Sequence, residues 1–319
     1  MTAFLLRRVL FGLLVLWLIS VATFVLFFIA PHDPARAIAG RLATPETVAL
    51  VRHRLGLDQP VLVQYWHFLT RLLHGDLGYS FVSSASVSSL LTSRLPVTIS
   101  LTAGAAVIWL TSGVLVGVLS ASRPRSLVDR SATVFVLAGL SMHTFLLGLL
   151  LIYVFFYRAH LAGLDWFPAG GYVPFAQDPL GWFQHLVLPW IALALVTSAA
   201  YSRLTRGSLL DTLGEDYVRT ARSKGLSERR VLFGHGLRSA LTPVVTQFGI
   251  DVGTLLGGAI VTETVFGLPG LGQLAVQSVT SQDLPVIIGI VLVAALFIVV
   301  ANILVDLTYA ALDPRVRLA

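Results

Sequence analysis

Residues 215–230, EDYVRTARSKGLSERR, gather charge in a chain that has little of it. Arg219, Arg222, Lys224, Arg229 and Arg230 fall here and Arg238 lies just beyond, six of the 22 basic side chains. Such a cluster can meet carboxylates, carbonyls or anionic lipid on a partner surface. Two acids stand in apolar surroundings: Asp251 inside the run 241–262, and Glu263 at its end. An ionised carboxylate at mid-membrane costs roughly 2.5–3.5 kcal/mol or more, so Asp251 must face protein or water. It reads as a pathway residue or proton relay, or as a hydrogen-bonded contact between helices. Glu263, in TETVFGLPGLG with Phe266, is a candidate pathway residue that could meet an amino terminus or a cation. Equally, it could accept backbone N–H bonds from the glycine-rich loop.

Several chemistries are excluded. A phosphate-cradling loop ends in Gly-Lys followed by Ser or Thr, but the one lysine, Lys224, is followed by Gly225. There is no HExxH or GxSxG, so common metalloprotease and hydrolase signatures are missing. With no cysteine, disulfides, thiolate metal sites and thiol nucleophiles are absent. Ser141 and His143, in AGLSMHTF, could be imagined as nucleophile and base, but two residues apart they point to different helix faces. His143 is expected as a hydrogen-bonded neutral side chain inside a bundle.

The elements that must position these residues are membrane helices. Hydrophobic residues make up 56% and charged residues 12% of 319, with a mean hydropathy of +0.83, too apolar for a soluble domain. The formal net charge of +6 fits basic loops facing anionic lipid better than nucleic acid. Apolar runs long enough to cross a hydrocarbon core of about 30 Å begin with 9–30, 97–122, 131–157 and 179–202. The fifth, 241–262, is interrupted only by Asp251, and the last is 284–305. The first exceeds a signal h-region and lacks a good cleavage site, so it is expected to remain an anchor.

Arginines mark one side of these runs: Arg123, Arg125 and Arg130, then eight basic residues in 203–240, then Arg315 and Arg317. Segments 159–178 and 263–283 have neither Lys nor Arg. The expectation is six transmembrane helices with both termini in the cytoplasm. Residues 31–96 are then outside, which the rule tolerates in a long loop despite six Arg. Within them, Thr44 and Pro45 start a helix that Gly56 stops. Val61, Gln64, Tyr65, Phe68, Leu69 and Leu72 line the apolar face of a second one. The expected division is 1–96, anchor and external segment; 97–312, a transmembrane core with a cytoplasmic loop at 206–240; and 313–319, a tail.

In that loop Asp216 is placed to cap a helix, YVRTARSK, with Val218, Ala221 and Gly225 toward one side and Arg219 and Arg222 on another. Gly225 breaks it, Ser227 caps a second helix, and ERRVLFGHGLRSAL leads into Pro243. Small residues at 221 and 225 let another backbone approach. The element reads either as a partner-docking surface or as a topogenic loop with incidental helix.

DYVRTARSKGLSERRV with LRSALTPVV resembles the cytoplasmic signature of inner-membrane permeases of ABC importers, nearest their dipeptide, oligopeptide and nickel branch. LGLDQPVLVQYWHFLTRLLHGDLGYSF, the first apolar run and GGAIVTETVFGLPGLGQL resemble that branch too, so the likeness covers nearly the whole chain. In the wider family's Glu-Ala-Ala pattern the Glu falls at Arg219 and the first Ala at Thr220; Ala221 and Gly225 match.

The resemblance implies an all-α integral membrane protein, a type I ABC importer (MetI-like) permease bundle in the bacterial inner membrane. It implies no catalysis by this chain: two ATPase subunits use ATP and Mg, an extracytoplasmic binding protein delivers substrate, and a homologous second permease, a paralogue or a second copy, completes the pathway. Asp216, Tyr217, Arg219, Thr220, Ala221, Arg222, Lys224 and Gly225 would then form the ATPase-coupling surface, and small peptides would be the cargo. Nickel chelates or another solute are the near alternative. A proton-coupled secondary transporter is the rival of a different class, although no inverted repeat is visible to support it.

Overall fold

The computed structural model describes the backbone of residues 2–29, 34–39, 43–54 and 56–312, and their side chains except at 2–5, 34, 37, 252–254, 256–258 and 305–312. The tail arginines, Arg315 and Arg317, lie outside the described residues. In chain order the elements begin with helix α1 (Thr2–Phe24), continued as π-helix over Val25–Ile29, then α2 (Pro34–Ala39), α3 (Pro45–Arg54) and α4 (Val61–Leu73). Strands β1 (Tyr79–Ser80) and β2 (Ala85–Ser86) follow, then α5 (Val87–Ser122), α6 (Leu127–Ser141) and α7 (Thr144–Leu151). After a π-helical stretch, Ile152–Arg158, come α8 (Ala159–Leu161), α9 (Pro179–Leu213), α10 (Asp216–Ser223) and α11 (Glu228–Arg230). A further π-helical stretch, Val231–Gly236, leads into α12 (Leu237–Val265), α13 (Leu271–Ser281) and α14 (Leu284–Leu312).

Among the described residues five stretches are long and apolar enough to cross a membrane: Leu6–Ile29, Val87–Ser122, Thr144–Leu161, Pro179–Leu213 and Leu284–Leu304. The remaining expected run, 241–262, lies within α12, a single 29-residue helix. Two expectations are corrected. The second span starts ten residues earlier than its apolar run, because α5 continues through Pro96. At 1.5 Å per residue its 36 residues reach about 54 Å, well beyond the hydrocarbon core. The third run is not one helix: Met142 and His143 are extended, with ψ 135° and 137°, and separate α6 from α7.

The chain forms two compact units, residues 1–98 with 269–304, and 99–268 with 305–319. In the first, α3 and α4 form as their signals dictate. Thr44 Oγ1 accepts from the Thr47 amide at 3.3 Å. Gly56 takes φ +64°, and the Leu57 amide returns to the Arg52 carbonyl, closing the helix as a left-handed glycine does. Phe68 packs with Phe24, Ile288 and Leu292, flanked by Tyr65 and Leu72. Segment 263–283, expected as loop, contains α13. Its Leu271 and Leu274 are buried with Val87, Leu91 and Val286, and Thr98 Oγ1 accepts from the Leu271 amide at 2.8 Å.

In the second unit α9 is central, with α6, α7 and α12 packed on it. Its start is capped by Asp178, which accepts from the Leu180 amide at 3.0 Å. Small residues bring α5 onto α9: a Cβ at Gly104 would fall 2.1 Å from the Trp190 ring, and one at Gly113 would fall 2.6 Å from Tyr201 Cβ. Because lipid tails are as apolar as leucine, membrane helices associate through such close van der Waals fit.

Candidate functional site

The loop between α9 and α12 folds as a helix, a glycine turn and a helix. Glu215 holds the N-cap position of α10 without a side-chain cap bond, which corrects the expectation for Asp216, already the first helical residue. Ser227 does stand at the N-cap of α11, again without a side-chain bond. Gly225 takes φ +79°, a conformation open to glycine at no steric cost. Its amide donates to the Arg222 carbonyl at 2.9 Å. The second helix runs on through the π-helical stretch into α12, within which Pro243 lies.

Burial divides the loop's residues into two groups. Val218 and Ala221 turn inward against Val231, flanked by Leu213 and Leu226. Ala221, expected at the docking surface, is 6% exposed. Its small side chain therefore serves the chain's own packing. Asp216, Tyr217, Arg219, Thr220, Arg222, Lys224 and Gly225 are exposed. A Cβ on Gly225 would meet nothing within 4 Å, so the turn itself is open to a partner.

Arg222 is not a free cation. Its Nε donates to Glu228 Oε1 at 2.8 Å and a terminal nitrogen to Oε2 at 3.3 Å, a two-pronged bridge across the glycine turn. Tyr217 donates its hydroxyl to Ser239 Oγ at 3.1 Å, tying α10 to the start of α12. Arg219 reaches Asp216 at 3.5 Å, an exposed contact that contributes little. Lys224, Arg229 and Arg230 present further exposed cations, with Glu215 an exposed acid, and Phe233 is exposed beside them in sequence. The loop is thus braced within itself and cationic outside.

A cluster that sequence reasoning missed lies in the same unit. Asp129 is buried and accepts from Arg206 Nε at 2.8 Å, from another Arg206 nitrogen at 3.0 Å and from Ser120 Oγ at 2.5 Å. The Arg125 amide adds a fourth bond, at 2.9 Å. These partners, Arg206 foremost, hold the Asp129 carboxyl well below the usual carboxylate range. The cluster joins α5, α6 and α9. An acid beside Arg130 in the first turn of α6 was the local signal for it, and Arg206 is 77 positions away.

The expected pathway residues scatter. Asp251 accepts from Tyr201 Oη at 2.8 Å and Gln247 Nε2 at 2.9 Å, the interhelical contact among its readings. Glu263 is wholly buried and Phe266 is 2% exposed. The Phe266 carbonyl accepts from the Gly171 amide at 3.2 Å. Both side chains sit within the chain's own packing. Ser141 donates its hydroxyl to the Leu137 carbonyl at 2.7 Å and makes no pair with His143. His143, expected inside a bundle, is exposed at the break of the third run.

A family model described as binding-protein-dependent transport system inner membrane component matches residues 113–318, and its N-terminal counterpart matches 1–102. The chain belongs to this family. It is a multi-pass inner-membrane permease component of an ABC transporter. A peptide transport system permease protein of Brucella abortus is 44% identical to it over 317 residues, 99% of each chain. A peptide ABC transporter permease of Sinorhizobium fredii is 40% identical over 318 residues, 99% of this permease and all of the relative. The glutathione transport system permease protein of Salmonella typhimurium is 41% identical over 317 residues, 99% of each.

Proposed function

We propose that this permease carries small peptides inward, forming the pathway with a homologous second permease. Two separate ATPase subunits supply the work through ATP and Mg, and an extracytoplasmic binding protein delivers the cargo. The carrying observation is the braced, outward-cationic turn at 216–230 in a chain without a phosphate-binding loop. The peptide and glutathione names of full-length relatives support the cargo class. On this reading 1–96 anchors and caps, 97–312 transports, 313–319 is a tail, and the turn faces the cytoplasm.

Mechanically, ATP must favour one of two helix packings through contacts at the turn. Lys224, Gly225 and Arg219 offer the contact surface, joined by Asp216, Tyr217 and Thr220. Arg222 and Ala221 keep that surface stiff, so that a push on α10 moves α9 and α12. The break at Met142–His143 is a further pathway candidate. Non-helical backbone at membrane depth is tolerated where it is buried in protein or lines water, and His143 is exposed in this chain.

The test is reconstitution of the four-subunit complex with its binding protein. Peptide-loaded binding protein should stimulate ATP hydrolysis, with di-, tri- and oligopeptides, glutathione and nickel chelates compared in parallel. Stimulation by chelates alone would reassign the cargo. Uptake by this chain alone, driven by a proton gradient, would sink the importer reading. Full uptake of a peptide series by Glu263→Gln would exclude any need for that charge.

A further inference from the structure

We propose that the unit formed by residues 1–98 and 269–304 holds one membrane phospholipid, with an acyl chain in a half-open apolar cavity and the phosphate on Arg54 and Arg71. The cavity measures about 420 Å³. Its apolar wall includes Phe28, Phe68, Ile288 and Leu292, and its charged lining is Arg54, Arg71 and Asp76. This space falls in the range of about 300–1,000 Å³ typical of small-molecule clefts and cavities. Water needs roughly two to four polar partners to settle in a cavity; Tyr79 and Ser86 are the uncharged polar side chains of the lining, and the stretch of Phe28, Phe68, Ile288 and Leu292 supplies no side-chain partner. The body of the cavity therefore suits hydrocarbon.

The charges select the rest of the occupant. Two guanidiniums against one carboxylate leave a single positive charge, which one phosphodiester balances. Burial pulls the Arg71 guanidinium below its ordinary pKa while Asp76 acts the other way, so a further anion there is favourable. Guanidinium also matches phosphate with paired N–H donors. A free peptide would bring an ammonium as well. The one carboxylate of the lining, Asp76, already accepts the Gly78 amide at 2.9 Å.

The cavity's place in the unit gives the same answer. Phe28 is near the end of the first membrane-crossing stretch, Leu6–Ile29, and Ile288 and Leu292 are near the start of the last, Leu284–Leu304. Arg54 and Arg71 come from α3 and α4, outside any such stretch. Apolar wall from span ends and cations from the flanking helices reproduce the order of chain and headgroup in a leaflet. The inference rests on membrane residence and not on the peptide reading. A complex whose ATPase ignored peptides would leave it standing.

Native mass spectrometry of the complete complex, released from membranes in mild detergent, tests it. One phospholipid should stay with each copy of this chain. Arg54→Gln with Arg71→Gln should reduce retention by about tenfold, the loss expected of a charge-assisted contact. Ile288→Trp should expel the lipid with both arginines intact. Because Arg54 is exposed, Arg54→Gln alone leaves the packing undisturbed and should weaken retention if the double variant fails to assemble. Equal retention by wild type and variants would overturn the proposal. So would displacement of the mass by millimolar inorganic phosphate, which would mark a free-anion site, or its identification as a peptide.

Discussion

At the scale of single residues, one ion pair and one glycine decide how the turn and its supports hold. Asp129 lies in the segment between the second and third apolar runs and is ionised against Arg206. Its folded pKa is depressed, so the pair contributes stability above the unfolded value of about 3.9. That contribution is lost only as pH falls through the lower folded value. Asp129→Asn should lower the melting temperature of the purified complex by a margin that stays constant between about pH 5 and 8 and shrinks below about pH 4. A margin that instead changed near neutrality would point to another titrating group. Gly225 gives a second test. A β-branched residue at φ +79° costs about 1–2 kcal/mol, whereas Asn enters the left-handed region more readily. Gly225→Val should therefore uncouple ATP hydrolysis from uptake, with Gly225→Asn keeping more of the coupling, read as transport per ATP in proteoliposomes.

Elements raise a different question, namely which helix faces tolerate bulk. Gly113 on α5 lies against Tyr201, and Gly117 against Thr205, each 2.6 Å from a would-be Cβ, while Gly207 on α9 has nothing within 4 Å. Gly113→Leu should abolish accumulation of the folded protein in the membrane. Gly207→Ala should be neutral or stabilising, by up to about 1 kcal/mol from helix propensity. Thermal aggregation assays on membrane extracts distinguish the two. Helix starts and stops were legible in advance because they are local. Thr44 with Pro45, Gly56 and Gly225 each act within a few residues. The break at Met142 and His143 was not, since Ser-Met-His carries neither proline nor glycine. Nor was α13, whose amphipathic face gains its meaning only against Val87 and Leu91 of α5.

For the whole molecule, the proposed coupling to ATPase subunits requires that a force on α10 reach the spans. The route runs from Tyr217 to Ser239 on α12 and through the Val218–Ala221–Val231 core. Glu228→Gln should loosen the Arg222 bridge and reduce uptake more than ATP hydrolysis, because the turn would still bind a partner but transmit less of its motion. Equal loss of both would place Glu228 at the contact instead. The sequence by itself determined a membrane protein, most span positions and the location of a charged turn, because hydropathy, basic residues and glycine act along the chain. Only the tertiary structure decided that Ala221 faces inward, that Arg222 is spent on Glu228, that Asp129 holds Arg206, and that Glu263 and Phe266 are buried. Those outcomes depend on which faces meet across a turn or between helices far apart in sequence, and a one-dimensional pattern leaves such meetings open.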